Sequence, residues 1–170
     1  MAAPTPVSSL VHSRTLVTAG FYLIFRFSIF NSMVILNTFI ILFSFLTLFY
    51  SGINGLLEID FKKIIALSTL RQLSLMFISI RIEMKIMSFF HLFTHAFFKS
   101  LLFIRVGAII HFFFNNQDMR NYNLLFINIL KLSIFLSMLS LIGLFFSSGF
   151  FRKDFILEKI FIKSSSLTLL

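Results

Sequence analysis

SMVILNTFIILFSFLTLFY, residues 32–50, holds no charged side chain. As a helix rising about 1.5 Å per residue it nearly crosses the ~30 Å hydrocarbon core of a bilayer. Backbone facing lipid must satisfy its own hydrogen bonds, which leaves a helix or a closed β-barrel as the spanning form. Barrel strands alternate apolar and polar residues over about ten positions. This run is apolar on every side, so it predicts a helix, one that faces lipid or packs against apolar neighbours. Ser51, Gly52, Asn54 and Gly55 follow and favour a turn that closes the helix at Tyr50.

Four more stretches of spanning length flank it, at about 5–30, 61–80, 87–114 and 124–151. The fold class expected is therefore all-α, a polytopic membrane protein built as a bundle of about five transmembrane helices. The last helix is expected to be broken, because Gly143, Ser147, Ser148 and Gly149 lie near its end. The tail from Phe155 to Leu170, interrupted by Lys159 and Lys163, is too short and too charged to predict a sixth span.

Composition agrees with a bilayer as the solvent. Hydrophobic residues make up 58% of the chain, charged residues 12%, and mean hydropathy is +0.99, which leaves too little polar surface to wrap a water-soluble domain. The net charge of +9 would suggest nucleic acid in a soluble domain, but the basic residues lie between or inside apolar helices and form no surface stripe. Nucleic acid is thus excluded as a partner. With no cysteine, disulfides, thiolate-held iron–sulfur clusters and cysteine nucleophiles are excluded too. Any redox chemistry belongs to a partner chain. Residues 1–9 lack a basic start and contain two prolines, unlike a cleavable signal; they read as the middle of a protein. The 27 phenylalanines, with abundant Ile, Leu, Asn and Lys, are the vocabulary of A+T-rich codons and fit an organellar gene. Basic residues divide too evenly between alternate loops to orient the chain in the membrane.

The chemistry concentrates in HLFTHAFFK, His91 to Lys99. Steps of four residues drift only about 40° around a helix and rise about 6 Å, so His91, His95 and Lys99 share one face. Imidazoles exchange protons near neutral pH, and a lysine desolvated by helices releases its proton more readily. Joined by ordered water, the three groups could conduct protons. The bland alternative makes the histidines hydrogen-bonded core groups and lets Lys99 snorkel to the interface. A metal site at His91 and His95 lacks a third suitable ligand nearby on this helix. Ser68, Thr69, Arg71, Gln72 and Ser74 crowd the span before it and need protein or water around them. Lys153 and Asp154 follow the Gly–Ser stretch, where an unwound backbone can stabilise a cation or hold water; otherwise they are interfacial charges. His12 is a relay candidate or a hydrogen-bonded packing residue. Lys62 and Lys63, just after Asp60, form a charge cluster at a helix start.

Five runs together resemble the antiporter-like membrane subunits of NADH:ubiquinone oxidoreductase, respiratory complex I. They are TPVSSLVHSRTLVTAG at 5–20, DFKKIIALSTL at 60–70, FHLFTHAFFK at 90–99, QDMR at 117–120 and SGFFRKD at 148–154. The resemblance covers nearly the whole chain. It implies a fragment of a proton translocase of the mitochondrial inner membrane. The implied proton path comprises His12, Lys62 or Lys63, His91, His95, Lys99, Lys153 and Asp154. It also implies partners and division of labour: lipid and the other membrane subunits around it, with NADH, FMN, iron–sulfur clusters and ubiquinone bound elsewhere in the complex and no small-molecule substrate here except protons. The related multisubunit cation/proton antiporters share these helices and form the alternative; a non-functional mistranslated fragment is a third reading.

The departures from the family are informative. Its earlier helices, with a paired glutamate and lysine, are absent from this sequence, and Phe145 replaces the proline usual at the broken helix. Arg14, Arg71 and Arg152 stand where serine is usual, and an arginine at the centre of a membrane helix costs at least about 2.5 kcal/mol. AGA or AGG codons, serine in invertebrate mitochondria but arginine in the standard code, would account for all three and remove three of the 15 basic residues. CGN codons at these positions would end that explanation. The absence of tryptophan fits the same misreading, since UGA codes for tryptophan there and for stop in the standard code.

Overall fold

The computed structural model describes residues 7, 11, 15–27, 34–114, 116–121, 128–143 and 149–168. Within them six α-helices follow one another: α1 (Leu16–Phe27), α2 (Val34–Leu57), α3 (Phe61–Arg81), α4 (Lys85–Phe112), α5 (Asn128–Ile142) and α6 (Phe150–Thr168). No β-strand occurs among the described residues, and the chain is an all-α membrane protein. Three stretches, Asn37–Leu57, Phe61–Arg81 and Lys85–Phe112, are long and apolar enough to cross a membrane; Leu16–Phe27 and Leu132–Ile142 are shorter apolar helices.

The turn expected at Ser51–Gly55 does not form, and α2 runs seven residues beyond Tyr50 to Leu57. Neither Gly52 nor Gly55 adopts a positive φ. A glycine inside a helix costs about 1 kcal/mol relative to alanine, whereas each unsatisfied backbone group in hydrocarbon costs several. The helix therefore continues. Ser51 helps by returning its hydroxyl to the Leu48 carbonyl at 3.1 Å.

Polar residues within the spans use the same device. Ser44, Thr69, Ser74, Ser79 and Ser88 each donate to the carbonyl three residues earlier. Their hydrogen bonding is thus met inside their own helix, and all five are buried. Small, self-satisfied side chains let membrane helices approach closely. α2 presents Phe39, Leu42, Phe43 and Leu46 outward, as expected of a lipid-facing helix, and packs on α3 through its other side.

α3 and α4 are the centre of the bundle. α3 packs against α1, α2 and α4, while α4 also touches α5 and α6. The turn between them is short: Met84 N–H donates to the Ser79 carbonyl and Glu83 N–H to that of Ile80. Glu83 takes φ 72°, the left-handed conformation that ends helices. So tight a connection makes the helices antiparallel. Apolar contacts hold each end of the pair: Phe21, Met76 and Ile80 pack with Phe25, Leu73, Phe77 and Leu92, and Ile65 packs with Phe103, Val106 and Ile110. Arg81 ties α3 to α2 by donating to Asn37 Oδ1.

The break between α5 and α6 centres on two glycines. Gly143 has φ +82°, and a side chain at Gly149 would stand 2.4 Å from the Ser140 carbonyl oxygen. Both positions need glycine, because backbone meets backbone there. Gly149→Ala is expected to lower the thermal stability of the purified protein by about 1–3 kcal/mol; an unchanged melting curve would show that the contact is dispensable. Phe145, Ser147 and Ser148, also placed at the break by the sequence, lie outside the described residues, as do His12 and Arg14. The tail is helical to Thr168, longer than its charges suggest, though it is not among the spanning candidates.

Candidate functional site

Buried polar groups gather where α3 faces α4. His91, His95 and Lys99, on consecutive turns of α4, are 3%, 4% and 2% exposed, so the face that helical spacing predicts points into the bundle. The two imidazoles stack with centroids 6.3 Å apart and planes 27° from parallel.

α3 supplies what these groups need from across the interface. Lys99 Nζ donates to Ser68 Oγ and, at 3.4 Å, to the Ile65 carbonyl. Ser68 in turn donates its hydroxyl proton to that same carbonyl at 2.7 Å. A hydroxyl is suited to this position, since it accepts from the ammonium while donating onward. One turn further along α3, Gln72 Oε1 lies 3.1 Å from His91 Nε2. Ser68 and Gln72 thus join the site, although the sequence marks them only as polar residues in an apolar span.

The cluster opens on a cavity of about 690 Å³ between α2, α3, α4, α5 and α6. Ser68, Arg71, Gln72, His91 and Lys99 provide its polar lining; Phe45, Leu48, Phe49, Leu141, Ile156 and Phe161 are among its apolar walls. Polar groups converging on such a space give water several partners, the condition for holding it inside a protein. No group of three or more metal-ligating side chains occurs among the described residues.

The two lysines at the start of α3 part company. Lys62 is only 7% exposed, whereas Lys63 turns outward to Asp60 at 2.9 Å and Glu58 at 3.5 Å. Adjacent residues differ by about 100° around a helix, so one can face the bundle while the other faces the rim. The Lys63 ammonium holds the Asp60 carboxyl below its ordinary range. Beside this ion pair the QDMR run docks on the start of α3: Phe61 N–H donates to the Gln117 carbonyl and Met119 N–H to that of Ile59. Asp154 is exposed on α6; Lys153 sits in the first turn of the same helix.

The chain is a membrane bundle with titratable groups filed along its central helix, and comparison identifies the family. Residues 1–170 match the transmembrane family described as NADH:quinone oxidoreductase/Mrp antiporter, and the chain belongs to it. Its relatives include NADH-ubiquinone oxidoreductase chain 5 of Caenorhabditis elegans, 45% identical over 95% of this chain and 31% of the relative. The protein of that name from Aedes aegypti is 50% identical over 95% of this chain and 28% of the relative. That of Mytilus edulis is 46% identical over 97% and 30% respectively. The chain therefore spans about 30% of the length of these relatives.

Proposed function

We propose that this chain forms part of the proton-translocating membrane subunit of NADH:ubiquinone oxidoreductase, a multi-pass protein of the mitochondrial inner membrane. The observation that carries the reading is the buried file of Lys99, His95 and His91 on α4, with Ser68 and Gln72 facing it from α3. Ionisable groups buried in membrane helices are expensive, and where they occur they mark ion and proton pathways.

In this reading Lys99 holds a proton between two acceptors, Ser68 Oγ and the Ile65 carbonyl. A charge moving nearby decides whether the ammonium keeps its proton. The released proton passes through water in the cavity and the histidines, each of which can bind it on one nitrogen and give it up again. Lys62 extends the file toward the start of α3, and His12, Lys153 and Asp154 are proposed as its further members. NADH oxidation and quinone reduction, with their FMN and iron–sulfur centres, occur in other subunits and supply the charge movement. The A+T-rich codon usage implied by the composition supports the mitochondrial assignment.

The test is the assembled complex, reconstituted in vesicles with the full-length subunit carrying His91→Gln or His95→Gln. Proton translocation per NADH oxidised is expected to fall about tenfold or more, as removal of a positioned proton carrier does, with the complex still assembled. Undiminished translocation in both variants would remove these histidines from the path. Purification of the chain with a sodium/proton exchanger lacking NADH oxidation would favour the antiporter reading instead.

A further inference from the structure

Two side chains one turn apart on α3, Ser68 and Gln72, make polar contacts with α4. In the first, Ser68 receives a cation. The second joins His91 to a neutral amide, Gln72, that neither gains nor loses a proton. We infer that Gln72 is a positioning residue: its Oε1 accepts the Nε2–H of His91 and so leaves Nδ1 as the nitrogen that takes up and releases the mobile proton. This deepens the relay reading and rests on it.

The chemistry of the two partners supports this. Neutral imidazole carries one N–H and imidazolium carries two. An oxygen at Nε2 accepts from both forms, so the contact at 3.1 Å survives the whole protonation cycle. The amide nitrogen turned toward Nε2 would suit only the neutral ring and would oppose an N–H once the ring is charged. A histidine that must pass through both states is therefore best held by the oxygen end. With Nε2–H fixed, a proton arriving at His91 bonds to Nδ1, and the same N–H bond breaks when it leaves; Gln72 contributes no proton at any step.

Position supports it as well. His91 is 3% exposed, and Gln72 lines the same cavity as His91 and Lys99. Leu75 and Ile78, further along α3, also line that cavity and offer no side-chain acceptor. Ring orientation within such a site is set by the fixed hydrogen bond on one nitrogen, which determines where the other points.

The experiment uses the assembled complex with the full-length subunit. The ring vibrations of neutral histidine differ between its Nδ1–H and Nε2–H forms, and subtracting the infrared spectrum of the His91→Gln complex isolates those of His91. The native complex is expected to show the Nε2–H form. Gln72→Met, which keeps the length of the side chain but removes its acceptor, is expected to give both forms and to lower proton translocation per NADH about tenfold. Nδ1–H in the native complex overturns the proposal even if the Met variant does not assemble. An unchanged tautomer or undiminished translocation in Gln72→Met overturns it too. The relay reading fails separately, if His91→Gln itself translocates normally.

Discussion

Lys99→Met is expected to reduce proton translocation by at least about 100-fold while the complex remains assembled and continues to oxidise NADH. The substitution suits the site physically. Methionine fills most of the space of the lysine stem and removes the cost of keeping a charge buried. Ser68 keeps its own donor bonded to the Ile65 carbonyl at 2.7 Å, so removing the ammonium strands no hydroxyl proton. A loss of pumping therefore reports on the proton and not on folding. Lys99→Arg should fail equally, because a guanidinium does not release its proton in this range. The measurement is NADH-driven internal acidification of vesicles alongside NADH consumption. Wild-type acidification in Lys99→Met would remove this residue from the path.

The second large effect separates neighbours. Lys62→Met is expected to lower translocation about tenfold or more, because its side chain is buried and the proposed path includes it. Lys63→Met should leave translocation within about twofold and stability within about 0.5 kcal/mol. Its side chain is 53% exposed and its ammonium is paired with rim carboxylates, and such pairs contribute little. The two variants change the same charge by the same amount, one residue apart. Equal losses would mean that net charge at this end matters more than the file; a loss confined to Lys63→Met would reverse the assignment.

Much of the site was legible because it is local. His91, His95 and Lys99 lie on one helix, and a spacing of four residues places them on one face whatever surrounds them. Sequence spacing could not say whether that face met lipid or protein. Their burial follows from the tight turn at Ile82–Met84, which folds α3 back along α4. Ser68 and Gln72 were less legible: Ser68, Thr69, Arg71, Gln72 and Ser74 are crowded on α3, and only interhelical register selects among them. Arg71 is exposed where it borders the cavity, a costly place for arginine in a membrane helix and an undemanding one for serine.

The sequence by itself determined the solvent, the helical fold and the face of α4 that carries His91, His95 and Lys99. Apolar length and four-residue spacing act along a single helix and need no partner. Only the tertiary structure decided that α2 continues through its glycines, that Lys62 is buried while Lys63 meets Asp60, and that Ser68 and Gln72 face Lys99 and His91. Each of these depends on residues distant in sequence, whose meeting is set by how neighbouring helices pack.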